Sequence, residues 1–386
     1  MARADDTDPI YLDCNASTPI LPEVAQAMTD YLHKGFGNPS SGHIFGRCAR
    51  RAVDKARHRV AQLLGCSPSE VVFTSGGTEA NNLAIFGVCT ARQDRPGVVT
   101  SAIEHPATAE PCRRLAAQDR SVSTVAVDRH GRVELDQIRD AISDQTALVT
   151  VMHANNETGV IQPVQQIAEI AAYAGATVHS DAAQSVGKVD VDVDELGVDL
   201  LSVAAHKMHG PKGVGALYIR RGTPIESVLY GASHENGMRP GTENVASIVG
   251  FGVACEIAAE TLEISQAKIG GLRDRLWEKL NAEIPEIVIN GHRSPRLPNT
   301  LNVRFPSVSG DRLLAHADGV AASTGSACHG GEHAASSVIV AMGIEPEEAA
   351  GSVRLSLGKT TTSDEIDRAA TALVGAWNSM VSQSSR

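Results

Sequence analysis

The sequence predicts an α/β protein in which a large domain built on a mostly parallel sheet is joined to a smaller α+β domain. Three observations carry this reading. Between residues 71 and 219 short β-branched runs alternate with helical segments; the runs are continuously apolar; and past residue 260 the texture changes to longer, more widely spaced elements. Continuous apolar runs suit strands buried on both faces, and their alternation with helices places helices on either side of the sheet.

In chain order the expected strands are residues 71–74, 98–102, 122–127, 147–153, 177–180, 200–204 and 215–219, with helical periodicity in segments such as 162–174. Polar residues gather where these strands end: SGGTE, EHP, HANNETG, DAAQ and AHK follow five of them. Ligands of parallel sheets bind beyond the carboxyl ends of the strands, so the coincidence across five loops marks a site. Further on, a charged helix is expected over 261–283, then a short strand at 287–289, a turn at 291–298 and a strand at 301–305. A helix at 311–317, a loop at 323–333, a strand at 352–357 and a final helix at 363–381 complete the second unit. The expected division is a large domain over 18–260 and a small one formed by 1–17 with 261–386.

A net charge of −11 argues against a nucleic-acid surface, which needs a concentrated basic patch. Arg47, Arg50, Arg51, Arg57 and Arg59 are interleaved with apolar residues and read as the solvated side of a helix. No run of 18 apolar residues suggests a membrane span, and the start MARADDTDPI lacks the features of a secretory signal, so a cytoplasmic protein is expected. Seven cysteines without a CxxC pair suit a reducing compartment, with no metal or iron-sulfur site expected. Six of them read as small buried hydrophobes.

Three motifs carry chemistry. In SGGTEANN (residues 75–82), two glycines ahead of Thr78 can open a helix whose first N–H groups bind a phosphate, or can simply cap it; the spacing is neither that of a P-loop nor GxGxxG. In AAHKMHGPKGVG (204–215), Lys207 stands at a strand end before a Gly/Pro turn, as a Schiff-base lysine would, or as an ordinary turn lysine would. In HSDAAQSVGK (179–188), Asp181 ends an apolar strand, where an unpaired carboxylate is expensive and a cation is wanted. The ring nitrogen of pyridoxal 5′-phosphate (PLP) is a candidate for that cation, with Gln184 placed to donate to the ring hydroxyl.

These motifs, with YLDCNASTP (11–19), GNPSSGH (37–43) and RLSLGKTTT (354–362), resemble the cysteine desulfurase and selenocysteine lyase family of PLP enzymes across the whole chain. The resemblance implies the fold-type I aminotransferase architecture, an aldimine of PLP at Lys207 and an Asp181 pair to the pyridine nitrogen. It places His105 on the ring as an acid/base group, Gln184 near the phenolic oxygen, and Gly77, Thr78 and His206 on the phosphate. Asn38, Asn156 and Arg354 would hold the substrate carboxylate or orient the external aldimine, a planar guanidinium being well suited to a carboxylate. Cys328, in STGSACHGGEH, would take the sulfur as a persulfide and pass it to an acceptor protein, leaving L-alanine. The spacing from Cys328 to Gly343 resembles the longer-loop desulfurases, while CHGG is also similar to selenocysteine lyases. The expected activity is therefore a cysteine desulfurase, with a lyase of L-selenocysteine or another PLP-dependent β-elimination as alternatives.

Three positions depart from the family pattern. Ala204 stands where a phosphate-binding serine is usual, so that Ser202, a backbone group or water would have to substitute. GASHEN (231–236) replaces a Gly-Gly-Gly-Gln-Glu-Arg stretch, although MRPGTEN follows, in which the resemblance sends Thr242 to the phosphate of a neighbouring subunit and so implies a homodimer. Cys14 replaces an aromatic residue or asparagine and reads as packing.

Overall fold

Seven strands form the main sheet of the computed structural model, which describes residues 9–325 and 335–384. The chain enters through β1 (Ile10–Tyr11), α1 (Pro22–His33) and α2 (Ile44–Leu64). The sheet region then comprises β2 (Val71–Thr74), α3 (Gly77–Ala91), β3 (Gly97–Ser101), α4 (Pro106–Ala116), β4 (Ser121–Val125) and α5 (Leu135–Ala141). It continues with β5 (Thr146–Thr150), α6 (Val164–Ala174), β6 (Thr177–Asp181), α7 (Val193–Leu196), β7 (Leu200–Ala204) and β8 (Gly215–Ile219).

Across the sheet the order is β2-β8-β7-β6-β5-β3-β4. Strands β3 to β7 pair in parallel, and β8 is antiparallel to both β7 and β2. It follows that β2 runs in the same direction as β7, and that β2 through β7 all end at one edge. Every residue of β5, β6 and β7 is buried, as their apolar runs require, whereas β4, at the sheet margin, is largely open. The expected strand 147–153 stops at Thr150. Beyond it, the N–H groups of Val151 and His153 still reach His179 and Asp181 on β6, but the N–H of Met152 turns to the Glu104 carboxylate instead of continuing a ladder with β3.

Helix α2 buries Ala49, Val53, Ala56, Val60 and Leu64, one stripe at helical spacing, and ends on left-handed Gly65. It lies against α8 (Val245–Glu283), where a Cβ on Gly252 would meet the Ala56 Cα at 2.7 Å. The arginines beside this stripe reach partners, of which only Glu256 lies on α8. Arg50 pairs with Glu243, Arg59 with Glu256, and Arg57 grips both oxygens of Glu235 at 2.7 Å. The expectation of a solvated arginine face holds for exposed Arg47 and Arg51 but is corrected for Arg57 and Arg59, whose side chains are only 14% and 17% exposed.

The helix expected to start at residue 261 starts at Val245 and runs unbroken for 39 residues. Its first part, up to Ala258, joins the core under the sheet, while Ile269, Leu276 and Leu280 join a second core. In length and apolar composition this helix could cross a bilayer, but more than half of its most apolar stretch is buried inside the protein. Around the second core are β9 (Val288–Ile289), β10 (Thr300–Arg304), α9 (Gly310–His316), β11 (Val320–Ala321), α10 (Ser337–Ala341), α11 (Pro346–Ala349), β12 (Ser352–Ser356) and α12 (Ser363–Ser384). A three-stranded antiparallel sheet, β12-β10-β9, is its centre, and Ile10 and Leu12 from the chain's start pack into it. The large mixed sheet with a smaller α+β unit is the architecture expected of a fold-type I aminotransferase. Among the cysteines, Cys14, Cys89, Cys112 and Cys255 are buried as expected, but Cys48, off the buried stripe of α2, is exposed, and Cys66, just past the helix end, is half-buried.

Candidate active site

The shared sheet edge gathers the loops singled out in the sequence. After β2, Gly76 adopts φ 149°, a conformation L side chains rarely take, and no atom lies within 4 Å of where its Cβ would stand. Helix α3 starts at the next residue, so the N–H groups of its first turn, which lack intrahelical acceptors, open onto this space beside exposed Thr78. The end of β7 borders it: a Cβ on Gly77 would come 3.4 Å from the Ala204 Cβ. Ser202 does not replace the missing serine hydroxyl. Its Oγ is fully buried, 2.9 Å from His179 Nε2, while His179 Nδ1 is 2.8 Å from Thr150 Oγ1.

Asp181 is buried at the end of β6. Its carboxylate accepts from Asn81 Nδ2 at 2.7 Å and from the Ala183 N–H at 2.9 Å, and among the described residues no cation forms an ion pair with it. Asn81 Oδ1 is buried without a partner. Open space at a helix N-terminus and a buried carboxylate without an ion pair among the described residues, with a lysine at the next strand end, form a donor set that fits PLP.

Lys207 closes the turn after β7, and its Nζ donates to the main-chain oxygens of Asn15 (2.7 Å) and Ala16 (2.9 Å). Gln184 Nε2 donates to the same Asn15 oxygen at 2.9 Å. A cavity of about 510 Å³ brings together His105, Asn156, Gln184, Lys207 and Arg354. Gly325 and Ser337, on either side of the segment that contains Cys328, also line it; Cys328 itself lies outside the described residues. Asp181, Gly77, Thr78, His206, Asn38 and Thr242 are not among the residues that line this cavity, and Thr78, Asn38 and Thr242 are exposed. A second cavity, about 760 Å³ at Arg304, Pro306 and Gln383, gathers none of these residues.

His105 caps α4: its Nδ1 accepts from the Ala107 N–H at 3.1 Å, so in the neutral ring the proton sits on Nε2. Burial lowers its pKa, with Lys207 and Arg354 adding to the effect against the pull of Asp181. Arg354, on β12 and almost fully buried, donates to Asp13 Oδ1 at 2.7 Å and to the Asn156 main-chain oxygen at 3.1 Å. It is thus both ion-paired within the protein and a wall of the cavity.

The model for the family described as "Aminotransferase class-V" matches residues 10–369. A cysteine desulfurase IscS of Dictyoglomus turgidum is 45% identical over 361 residues, covering 93% of this chain and 92% of its own. The chain belongs to the cysteine desulfurase family of class-V aminotransferases. Among solved structures, a NifS-like protein superimposes with a TM-score of 0.90 at 36% identity, over 96% of this chain and 99% of its own. SspA, solved in complex with cysteine, does so at 0.81 and 34%, over 90% and 98%. The reaction is that of the desulfurases, L-cysteine to L-alanine with the sulfur passed on as a persulfide, and the family and fold imply PLP.

The desulfurase site also contains residues that the sequence reading passed over. Glu104 lies in the cavity wall, accepting from Ser101 Oγ and the Met152 N–H, and burial pushes its carboxyl up to about 8. Its adjacency to His105 in EHP was the available signal. Asn15, fully buried beside Cys14, ties the two cores: its Nδ2 donates to Asn156 O and Thr300 Oγ1, and Asn299 donates to its Oδ1. Asp13 and Lys188 were likewise missed. The latter is half-buried and lowered to about 7, chiefly by burial and then by Lys207.

Proposed function

We propose that Lys207 carries PLP in this desulfurase and that Cys328 receives the sulfur of L-cysteine. The observation that carries the reading is the single cavity lined by Lys207, His105, Gln184, Asn156 and Arg354 and flanked by the chain on both sides of Cys328. PLP, when bound, supplies the electron sink that labilises bonds at the substrate's carbons. Asp181 would hold its ring nitrogen, Gln184 its phenolic oxygen, and Gly77, Thr78 and His206 its phosphate. Arg354, oriented by Asp13, and Asn156 would take the substrate carboxylate, with Asn38 contributing from the cavity's surroundings. His105, kept uncharged near neutral pH by burial, is suited to take and return a proton. The Cys328 thiolate would form the new S–S bond as the substrate's carbon–sulfur bond breaks, the electron pair remaining with the carbon skeleton that is protonated to alanine.

Exposed Thr242 would complete the phosphate site of a second copy in a homodimer; Phe36, Phe45 and Tyr230, large apolar side chains open to solvent, support such a face. The six described cysteines are free thiols, which fits a reducing, cytoplasmic setting and an acceptor protein that takes the persulfide from Cys328.

The test is alanine production by the PLP-loaded protein from L-cysteine and L-selenocysteine in parallel, with Cys328→Ala beside the parent. Alanine from L-cysteine that the substitution abolishes is the expected result. Alanine from L-selenocysteine alone would instead favour a lyase, and Cys328-independent alanine would remove the thiol from the mechanism.

A further inference from the structure

Lys188 has no part in the roles assigned above, yet it stands one residue shell from Lys207. Its amine donates to Gln184 Oε1 at 2.8 Å and to Asn15 Oδ1 at 3.2 Å. Gln184 Nε2 in turn donates to the Asn15 main-chain oxygen at 2.9 Å, which closes a ring of three residues. Lys207 joins the ring at that same oxygen, 2.7 Å from Nζ.

A glutamine side chain fits its site in two orientations of nearly equal shape, and the hydrogen-bond partners decide between them. The Asn15 main-chain oxygen can only accept, so Gln184 turns its nitrogen to it, and Asn15 Oδ1 is held as an acceptor facing Lys188 because Nδ2 is committed to Asn156 and Thr300 while Oδ1 also accepts from Asn299. An amine placed against this oxygen donates to it and, with a further N–H, to the neighbouring amide; charged or neutral, Lys188 has hydrogens enough for both bonds. The carbonyl end of Gln184 is thereby drawn to Lys188. Its nitrogen faces Asn15 and keeps a second N–H for the cavity that Gln184 lines.

We infer that Lys188 is a positioning residue that locks Gln184 with its N–H edge toward the group bound at Lys207. It touches neither substrate nor cofactor. The inference rests on PLP being held at Lys207 and goes beyond it by naming what sets the donor on the phenolic side.

A double-mutant cycle tests it, with Lys188→Met measured in the parent and in a Gln184→Ala background. The readouts are the visible absorption band of the PLP-loaded protein, the rate of PLP release, and kcat and KM for L-cysteine. In the parent background, K188M is expected to move the band, speed PLP release and lower kcat by about tenfold, the scale of one charge-assisted hydrogen bond, with KM little changed. In the Q184A background the same substitution is expected to add less than about twofold, because its target is gone. Equal effects in both backgrounds, or a K188M protein indistinguishable from the parent, would overturn the inference. Should K188M fail to fold, Lys188→Gln enters the same cycle under the same criteria. A parent without a PLP band, or a Lys207→Ala protein that still holds PLP covalently, would overturn the underlying reading as well; a normal parent band unmoved by K188M overturns this inference alone.

Discussion

The Asp13 carboxylate holds the Arg354 guanidinium at 2.7 Å, tying the chain's first residues to β12 at the wall of the cavity. Arg354 keeps a second bond, to the Asn156 main-chain oxygen, so losing Asp13 would loosen the guanidinium without releasing it. For Asp13→Asn we expect KM for L-cysteine to rise about tenfold while kcat falls less, since an orienting charge on the carboxylate grip has been lost. Steady-state kinetics decides; a fall in kcat at constant KM would place Arg354 outside substrate binding.

Ala204, whose Cβ lies 3.4 Å from where a Cβ on Gly77 would stand, offers no hydroxyl to the α3 N-terminus, and Ser202 is occupied with His179. Ala204→Ser should therefore slow PLP release by roughly three- to tenfold and speed reconstitution of the stripped protein, the gain of a single hydrogen bond. Stopped PLP exchange followed by absorbance measures this. Equal retention in parent and variant would mean that backbone groups alone satisfy the phosphate.

His179, buried between Thr150 and Ser202, is held near pKa 4 by burial, against 6.5 for an exposed imidazole. Between those values the unfolded chain binds a proton that the folded one refuses, so this contribution is complete above the unfolded pKa and is lost as pH falls through the window toward the folded value. In the parent the loss amounts to at most about 1.4 kcal/mol per pH unit; His179→Asn lacks it. The stability gap between parent and variant, read by denaturation from about pH 7 to about pH 5, should accordingly narrow as the solution is acidified. A gap that widens would show that the ring is protonated in the folded protein.

The sheet was legible because burial on both faces writes itself as unbroken apolar runs: β2, β7 and β8 fall on the residues expected. Where polar side chains replace ladder partners the pattern misleads, as when Glu104 takes the Met152 N–H and ends β5 early. The start of α8 was hidden for a related reason. Its first turns, buried all round against α2, carry no polar face to betray a helix, and only the exposed half shows periodicity. Among the candidate site residues, Lys207, which lines the cavity, and Asp181 stood out by their place at strand ends. Asn15 and Lys188 did not, because their importance lies in hydrogen bonds to partners far off in sequence, which no local spacing encodes.

The unbroken course of α8 has a consequence for how such proteins diverge. Lys207 is anchored in one core and Arg354 in the other, and the same helix supplies side chains to both. Swapping everything past residue 260 between two relatives would splice a helix in mid-course and join the Lys207 side of one protein to the Arg354 side of another across a foreign seam. With the roles proposed for Lys207 and Arg354, substrate grip and cofactor grip would have to be exchanged together.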